Sequence, residues 1–227
     1  MLIPGLSNRD AESVFVGNTA AAGVYLGTQL VWPTVTGTPG VMGEMLFINP
    51  TNNAAGQYHY VSVPAAATKV DVILIGGGGG GGDGGTLGPG EGGGCGQWKT
   101  GTYIIGTDFA AGDILTVWVG EGGDGSNALT NTGDESGDPT QLLNKRYQLV
   151  LLSSGGTPNS MPDRTGATPP DCVYNGRTYK GGAGGTSANQ NGVNGTAPGG
   201  GGQGGGVEVN GNFGGKGGSG GCYLYFY

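Results

Sequence analysis

The sequence predicts an all-β fold: an antiparallel β-sandwich with packed glycine-rich, polyglycine-II-like segments and a small N-terminal β anchor. Three observations carry this. Runs of strand length, alternating or continuously apolar, recur between turn signals; hardly any stretch has a helical period; and glycine, 56 of 227 residues, is concentrated between the strands. Glycine at several times its average share commonly signals disorder, but disordered chains lack aromatic residues. This chain has 10 Tyr, 5 Phe and 3 Trp and is expected to fold.

Two domains are expected, an attachment segment over residues 1–40 and a glycine-rich sandwich over 41–227. In the first, V14-F-V-G-N-T19 is echoed ten residues later by V24-Y-L-G-T-Q29. Apolar residues around Gly-Asn and Gly-Thr predict short strands joined by tight turns. The piece is too small to bury its own apolar surface. Phe15, Tyr25 and Trp32 therefore mark it as a docking surface, for the following domain or a partner. P33-T-V-T-G-T-P-G40 has the composition of a linker.

Strands follow at 45–50, 57–63, 69–75, 97–105, 113–119, 147–152, 171–174, 177–180 and 222–227. K69-V-D-V-I-L-I75 is continuously apolar after Asp71, as a strand buried on both faces should be. Asn175-Gly176 is a strong hairpin signal. Only Thr140–Arg146 could make even a helical turn or two.

The glycine runs lie at 76–85, 92–96, 181–185, 199–206 and 214–221. Gly76, Gly78 and Gly81 match the spacing of a dinucleotide fingerprint, but that motif needs a helix next. The following Thr86-Leu87-Gly88-Pro89-Gly90 cannot start one, since each glycine costs about 1 kcal/mol in a helix and proline about 3. Five separately flexible linkers in one domain would carry a large ordering cost. Extended glycine runs can instead adopt the polyproline-II geometry, with three residues per turn and main-chain groups pointing outward. Those groups find partners only if similar segments lie alongside, which only side-chain-free residues allow. The expectation is a bundle of glycine helices closing one end of the sandwich.

Formal net charge is −7, so the chain repels phosphate backbones and anionic lipid; neither nucleic acid nor membrane insertion is expected. The N-terminus lacks a basic segment followed by an apolar one, which argues against a cleaved signal. Cys95, Cys172 and Cys222 are widely spaced and read as reduced thiols of a cytoplasmically made protein, with a disulfide between two of them as the alternative. His59 is the sole histidine and sits in an alternating strand. A zinc site of His59 with the three cysteines lacks the short paired spacings such sites use. The acidic stretch 121–138 could offer oxygens to calcium but fits no defined loop, and G211-N-F-G-G-K-G217 departs from a phosphate loop in spacing and in its last residue. No catalytic residue, metal or cofactor is expected, although carboxylates that converge only in space would be invisible at this level.

V24-Y-L-G-T-Q-L-V-W-P33 together with V61-S-V-P-A-A-A-T-K-V-D-V-I-L-I-G-G-G-G-G resembles minor tail proteins of phages that infect actinobacteria. A197-P-G-G-G-G-Q-G-G-G206 and G214-G-K-G-G-S-G-G221 are similar to the glycine-rich domains of those proteins and of tail-fibre adhesins. The resemblance implies a non-enzymatic virion component at the tail tip or on a fibre, partnered by other tail proteins, homo-oligomeric with a trimer favoured, and contacting a host-surface glycan. A tail subunit without a receptor and a cell-wall glycan hydrolase are the alternatives. Glycine runs offer only backbone, so receptor specificity is expected at the turns that join them. Those turns are 83–91 with Asp83, Thr86 and Leu87; 186–198 with Asn189, Gln190, Asn191 and Asn194; and 207–213 with Asn210, Asn212 and Phe213. Amide side chains both donate and accept, as sugar hydroxyls do.

Overall fold

The computed structural model describes residues 15–16, 19–20, 24–26, 29–32, 38–48, 58–85, 87–126, 135–187, 191–207 and 212–227. Contacts divide the chain into two units, Met1–Thr36 and Gly37–Tyr227. In the first, β1 (Phe15–Val16) pairs with β2 (Thr19–Ala20) and β3 (Val24–Leu26) with β4 (Gln29–Trp32), both antiparallel. The two echoing sequences therefore each make a hairpin; their turn residues lie outside the described residues.

The second unit begins with β5 (Thr38–Pro39), which adds a parallel edge to β7 (Tyr58–Ser62). This corrects the reading of 33–40 as linker throughout: its last part is strand, and Pro39, which has no N–H to donate, is tolerated because the strand is an edge. The other strands are β6 (Met45–Ile48), β8 (Lys69–Ile75), β9 (Trp98–Ile104), β10 (Ile114–Trp118), β11 (Thr140–Leu143), β12 (Leu149–Ser153), β13 (Cys172–Tyr174), β14 (Arg177–Tyr179) and β15 (Gly221–Phe226). They form one sheet ordered β12-β11-β10-β7-β5, a second ordered β6-β15-β8-β9, and the β13–β14 hairpin.

The two sheets face each other across a core of Val61, Leu115, Val117 and Leu142 from the first and Ile48, Val70, Val72, Leu74, Cys222, Leu224 and Phe226 from the second. All described regular structure is strand, and the fold is the expected all-β one. The helical reading of Thr140–Arg146 does not hold: Thr140–Leu143 pairs with both β10 and β12. Burial decides it, since alternate residues Thr140 and Leu142 are fully enclosed. The Thr140 hydroxyl donates to the Ile75 carbonyl (2.7 Å) and accepts from the Gly120 N–H (3.1 Å), a pairing a helical turn would forfeit.

On the outer face of the second sheet lies the β13–β14 hairpin, whose turn places Asn175 and Gly176 at φ 45° and 75°, as its Asn-Gly sequence demands. Asn175 donates to the buried Asp71 carboxylate (3.0 Å), which also accepts from Thr102 (2.7 Å) and the Tyr227 hydroxyl (3.2 Å). Three donors thus converge on one oxygen, Oδ1, of the buried Asp71 side chain, and burial of a polar group is tolerated where it is hydrogen-bonded.

Beyond the sandwich the chain builds a second body without a side-chain core. Among the described residues ten extended segments, 76–84, 90–97, 120–126, 135–139, 154–159, 163–168, 181–185, 191–197, 199–207 and 212–220, are joined by main-chain hydrogen bonds. Segment 76–84 shows the rule. Its N–H groups serve three neighbours in rotation: Gly77 and Gly80 donate to Asp138 and Glu135, Gly78 and Gly81 to Gly218 and Gly215, Gly79 and Gly82 to Gly94 and Glu91. Its carbonyls accept from three others in the same rotation: Gly77 and Gly80 from Gly156 and Asn159, Gly78 and Gly81 from Gly123 and Ser126, Gly79 and Gly82 from Gly202 and Gly205. Every third residue meets the same neighbour, which is the threefold repeat of the polyproline-II helix.

Segment 199–207 is a second centre. It donates from Gly200 and Gln203 to 191–197, from Gly201 and Gly204 to 163–168, and from Gly202 and Gly205 to 76–84, while 90–97, 181–185 and 212–220 donate to it. The two centres are neighbours, and the other eight segments ring them in a closed hexagonal array. A Cβ on any of Gly76 to Gly82 would come nearer than 3.0 Å to an atom of a neighbouring segment, for all but Gly82 a main-chain carbonyl. The centres must therefore be glycine almost throughout. Ring segments need glycine only where they face inward, so outward side chains recur every third residue, as at Phe213 and Lys216 or Glu121 and Asp124. Lys216 and Asp124 meet across adjacent ring segments at 2.9 Å.

Candidate functional site

Strands β8, β10 and β12 run directly into 76–84, 120–126 and 154–159, and 90–97, 135–139 and 212–220 run directly into β9, β11 and β15. Every one of these segments therefore has one end at the sandwich. Its other end lies at the far end of the array, where the described residues 83–85, 87–90, 126, 135, 158–163, 187, 191, 207 and 212 gather; 86, 127–134, 188–190 and 208–211 lie outside the described residues. Described residues flanking each of the three turns singled out in the sequence are among them, but 191–197, read as part of the second turn, is a ring segment running along the side of the array.

The predicted residues divide by role. Leu87 is fully exposed and Phe213 is exposed by about a third, so both offer apolar contact at the far end. Asp83 is exposed and its carboxylate accepts from the Ser126 hydroxyl (2.8 Å), which ties the turn at 83–90 to segment 120–126. Asn191 and Asn194 are exposed, and their side-chain oxygens accept from the N–H groups of Phe213 (3.2 Å) and Lys216 (2.8 Å). Their three-residue spacing repeats the pitch of the segment they brace. Asn194 lies one turn down the side of the array, not at its end. Asn212 is 3% exposed and donates to the Gly206 carbonyl (3.0 Å), so it closes the array beneath the surface instead of facing a receptor. Thr86, Asn189, Gln190 and Asn210 lie outside the described residues, as does the side-chain environment of Phe15 on β1, Tyr25 on β3 and Trp32 on β4.

Sequence reasoning missed two polar residues of the array. Gln203 interrupts a central glycine run, is 3% exposed, and uses its amide to donate to the Ser187 carbonyl (2.7 Å) and accept from the Val193 N–H (3.1 Å). Asn159, with φ 44°, ends segment 154–159 against Gly82, and its side-chain oxygen is buried without a partner. The signal for Gln203 was present: one amide inside an otherwise pure glycine run.

Reactive groups are spread over the fold. His59 lies on β7, where its Nε2 is buried without a partner and burial holds its pKa below the usual histidine value. The three cysteines are free thiols on segment 90–97, β13 and β15, and burial pushes each thiol up, which keeps it protonated at neutral pH. At the far end the described residues offer hydrogen bonding and apolar contact on a hydrogen-bonded support.

A sandwich whose strands continue into a glycine-helix array defines a glycine-rich domain. The chain matches the model of the glycine-rich domain family over residues 51–169 and belongs to that family. The match takes in the centre 76–84 and stops before the second centre. The chain is also 35% identical over 168 residues to the gene 32 protein of Mycobacterium phage D29, covering 70% of each chain. To the gene 32 protein of Mycobacterium phage L5 it is 34% identical over 201 residues, 79% of this chain and 80% of the relative. It is thus a phage protein of the kind found in phages of actinobacterial hosts, as the resemblance implied.

Proposed function

We propose that the protein is a non-enzymatic virion component of the phage tail, at the tip or on a fibre, that presents the far end of the glycine array to a host-surface glycan. The observation that carries this is the gathering of the described segment ends, with the exposed Leu87 and Phe213, at one end of a body whose interior is hydrogen-bonded in every direction. Such a support holds recognition loops in place with almost no side chains of its own, the arrangement in which binding residues sit on loops over a rigid scaffold. Residues 1–40, with Phe15, Tyr25 and Trp32, attach it to other tail proteins, and it assembles as a homo-oligomer, for which a trimer is favoured.

Two measurements test this. Deleting residues 1–36 is expected to leave a folded body that no longer joins the virion; continued incorporation moves the attachment elsewhere. A Leu87→Ser, Phe213→Ala phage, altered only at exposed positions, is expected to assemble normally and adsorb poorly to host cells. Normal assembly with unchanged adsorption assigns the protein a purely structural place in the tail.

A further inference from the structure

A second surface lies on the sandwich, away from the turns of the array, and its reading does not rest on theirs. Between the β13–β14 hairpin and the outer face of the second sheet runs an open groove lined by Met45, Arg177, Thr178, Tyr179, Lys180 and Tyr223. Its floor is aromatic. The Tyr223 ring stacks on Phe47 with centroids 4.3 Å apart and planes 18° from parallel, and Phe47 is 42% exposed. The Tyr179 ring meets Tyr223 edge-on at 5.1 Å.

Two polar groups in the wall lack the partners such groups normally have. The guanidinium of Arg177 sits 3.6 Å above the Tyr225 ring, and among the described residues no ion pair engages it. Stacking fixes the plane of a guanidinium and leaves its N–H edge directed outward, ready for a carboxylate or phosphate. The Tyr179 hydroxyl is buried and has no hydrogen-bond partner, although buried tyrosine hydroxyls usually find one. Lys180 adds a second cation, paired at 2.7 Å with Asp171 yet largely exposed. In a chain with only 9 Lys and Arg against 16 Asp and Glu, two cations at one groove set its local charge against that of the whole molecule.

We propose that this groove binds an anionic sugar, its carboxylate or phosphate on Arg177 and its ring against the exposed side of Phe47 where that ring stacks on Tyr223. An exposed aromatic ring suits the apolar face of a sugar, and a fixed charged group sets its orientation.

The test uses the full-length protein in calorimetric and saturation-transfer titrations with four probes: a glucuronic-acid disaccharide, glucose 1-phosphate, maltose and inorganic phosphate. Either or both anionic sugars are expected to bind at least about tenfold more tightly than maltose or phosphate, and their ratio distinguishes a carboxylate from a phosphate source. Arg177→Gln is expected to weaken that binding about tenfold. Tyr179→Phe is the control: it is expected to leave binding unchanged and the melting temperature unchanged or raised, because it removes an unsatisfied group buried beneath the groove, whereas Phe47→Ala is expected to weaken binding severalfold. The proposal is overturned if neither anionic sugar binds, if maltose binds equally well, or if Arg177→Gln leaves the affinity unchanged. It is equally overturned if that substitution changes the sedimentation of the protein in the absence of any sugar binding, which makes the groove a protein contact.

Discussion

The sandwich and the glycine array bury their backbones in opposite ways. In the sandwich each inner strand bonds to two neighbours in the plane of its sheet, and side chains such as Val72, Leu74 and Leu115 fill the space between sheets. In the array each central segment bonds to six neighbours, and nothing separates the backbones. The hydrophobic contribution, about 25 cal/mol per Å² of apolar surface, therefore acts almost wholly in the sandwich. The array depends on leaving no main-chain group unpaired, because each buried unsatisfied one costs about 1–3 kcal/mol. One body tolerates a change of shape and fears a lost methylene; the other fears an added one.

The sharpest way to break this comparison is to exchange the two kinds of damage. Leu74→Ala in the sandwich is expected to cost about 2–5 kcal/mol, through lost burial and the cavity left behind. Gly79→Val in the array should cost as much by the reverse mechanism, since its Cβ would press on the Thr157 and Gly156 carbonyls. Overpacking ordinarily costs about 1–3 kcal/mol, but here the obstructing atoms are main chain of another segment and cannot rotate away. Gly85→Ala is the control: a Cβ there meets nothing within 4 Å, and the change should stay within about 0.5 kcal/mol. Urea denaturation of the three variants decides it, and a Gly79→Val protein as stable as the parent would mean the array is not packed.

Much of this contrast was legible in the sequence. The strand 69–75 is recovered without shift, because continuous apolar content leaves one reading when both faces are buried. The array was legible in kind: runs too numerous to be loose, built from the one residue that lets backbones touch. Its centres were legible in principle, since the least interrupted runs, 76–82 and 199–206, are the segments with neighbours on every side, while G-G-x repeats such as 214–219 mark ring segments with one face outward. Thr140–Leu143 and Asn212 were not legible. A short polar-apolar stretch carries no periodicity that separates strand from helical turn, and an asparagine in a turn looks the same whether it faces solvent or caps a neighbour. Both depend on which distant segment lies alongside.

A second prediction concerns heat capacity. Apolar exposure raises it on unfolding and polar exposure lowers it, and ordinary proteins show about 12–15 cal/mol/K per residue. An array that exposes mainly peptide groups on unfolding should pull the value for the whole chain below that range. Differential scanning calorimetry checks it, and a value inside the range would mean the array buries more apolar surface than its composition suggests.

A smaller effect separates the two roles an asparagine can have at the array. Asn194→Ala removes the acceptor for the Lys216 N–H at 2.8 Å and is expected to cost about 0.5–1.5 kcal/mol. A receptor contact alone would leave stability untouched, so melting and adsorption measured on the same variant tell bracing from recognition.

The smallest expected effect lies in the sandwich. His59 is paired with Val117 across β7 and β10, its Nε2 is buried without a partner, and burial lowers its pKa from the ordinary 6.5. The unfolded chain takes up a proton as pH falls past 6.5, whereas the folded protein resists it until a lower pH. The unfolded state thus binds more protons in that window, and stability rises with pH there. The contribution is fully present above 6.5 and is lost as pH falls through the folded-state value. His59→Gln cannot titrate, so the difference in unfolding free energy between parent and variant should shift against the parent as pH is lowered below 6.5. Carboxylates common to both proteins cancel in that difference. A difference that stays flat, or moves in the parent's favour, would show that this imidazole is hydrated in the folded protein and that the sandwich is looser at β7 than its burial indicates.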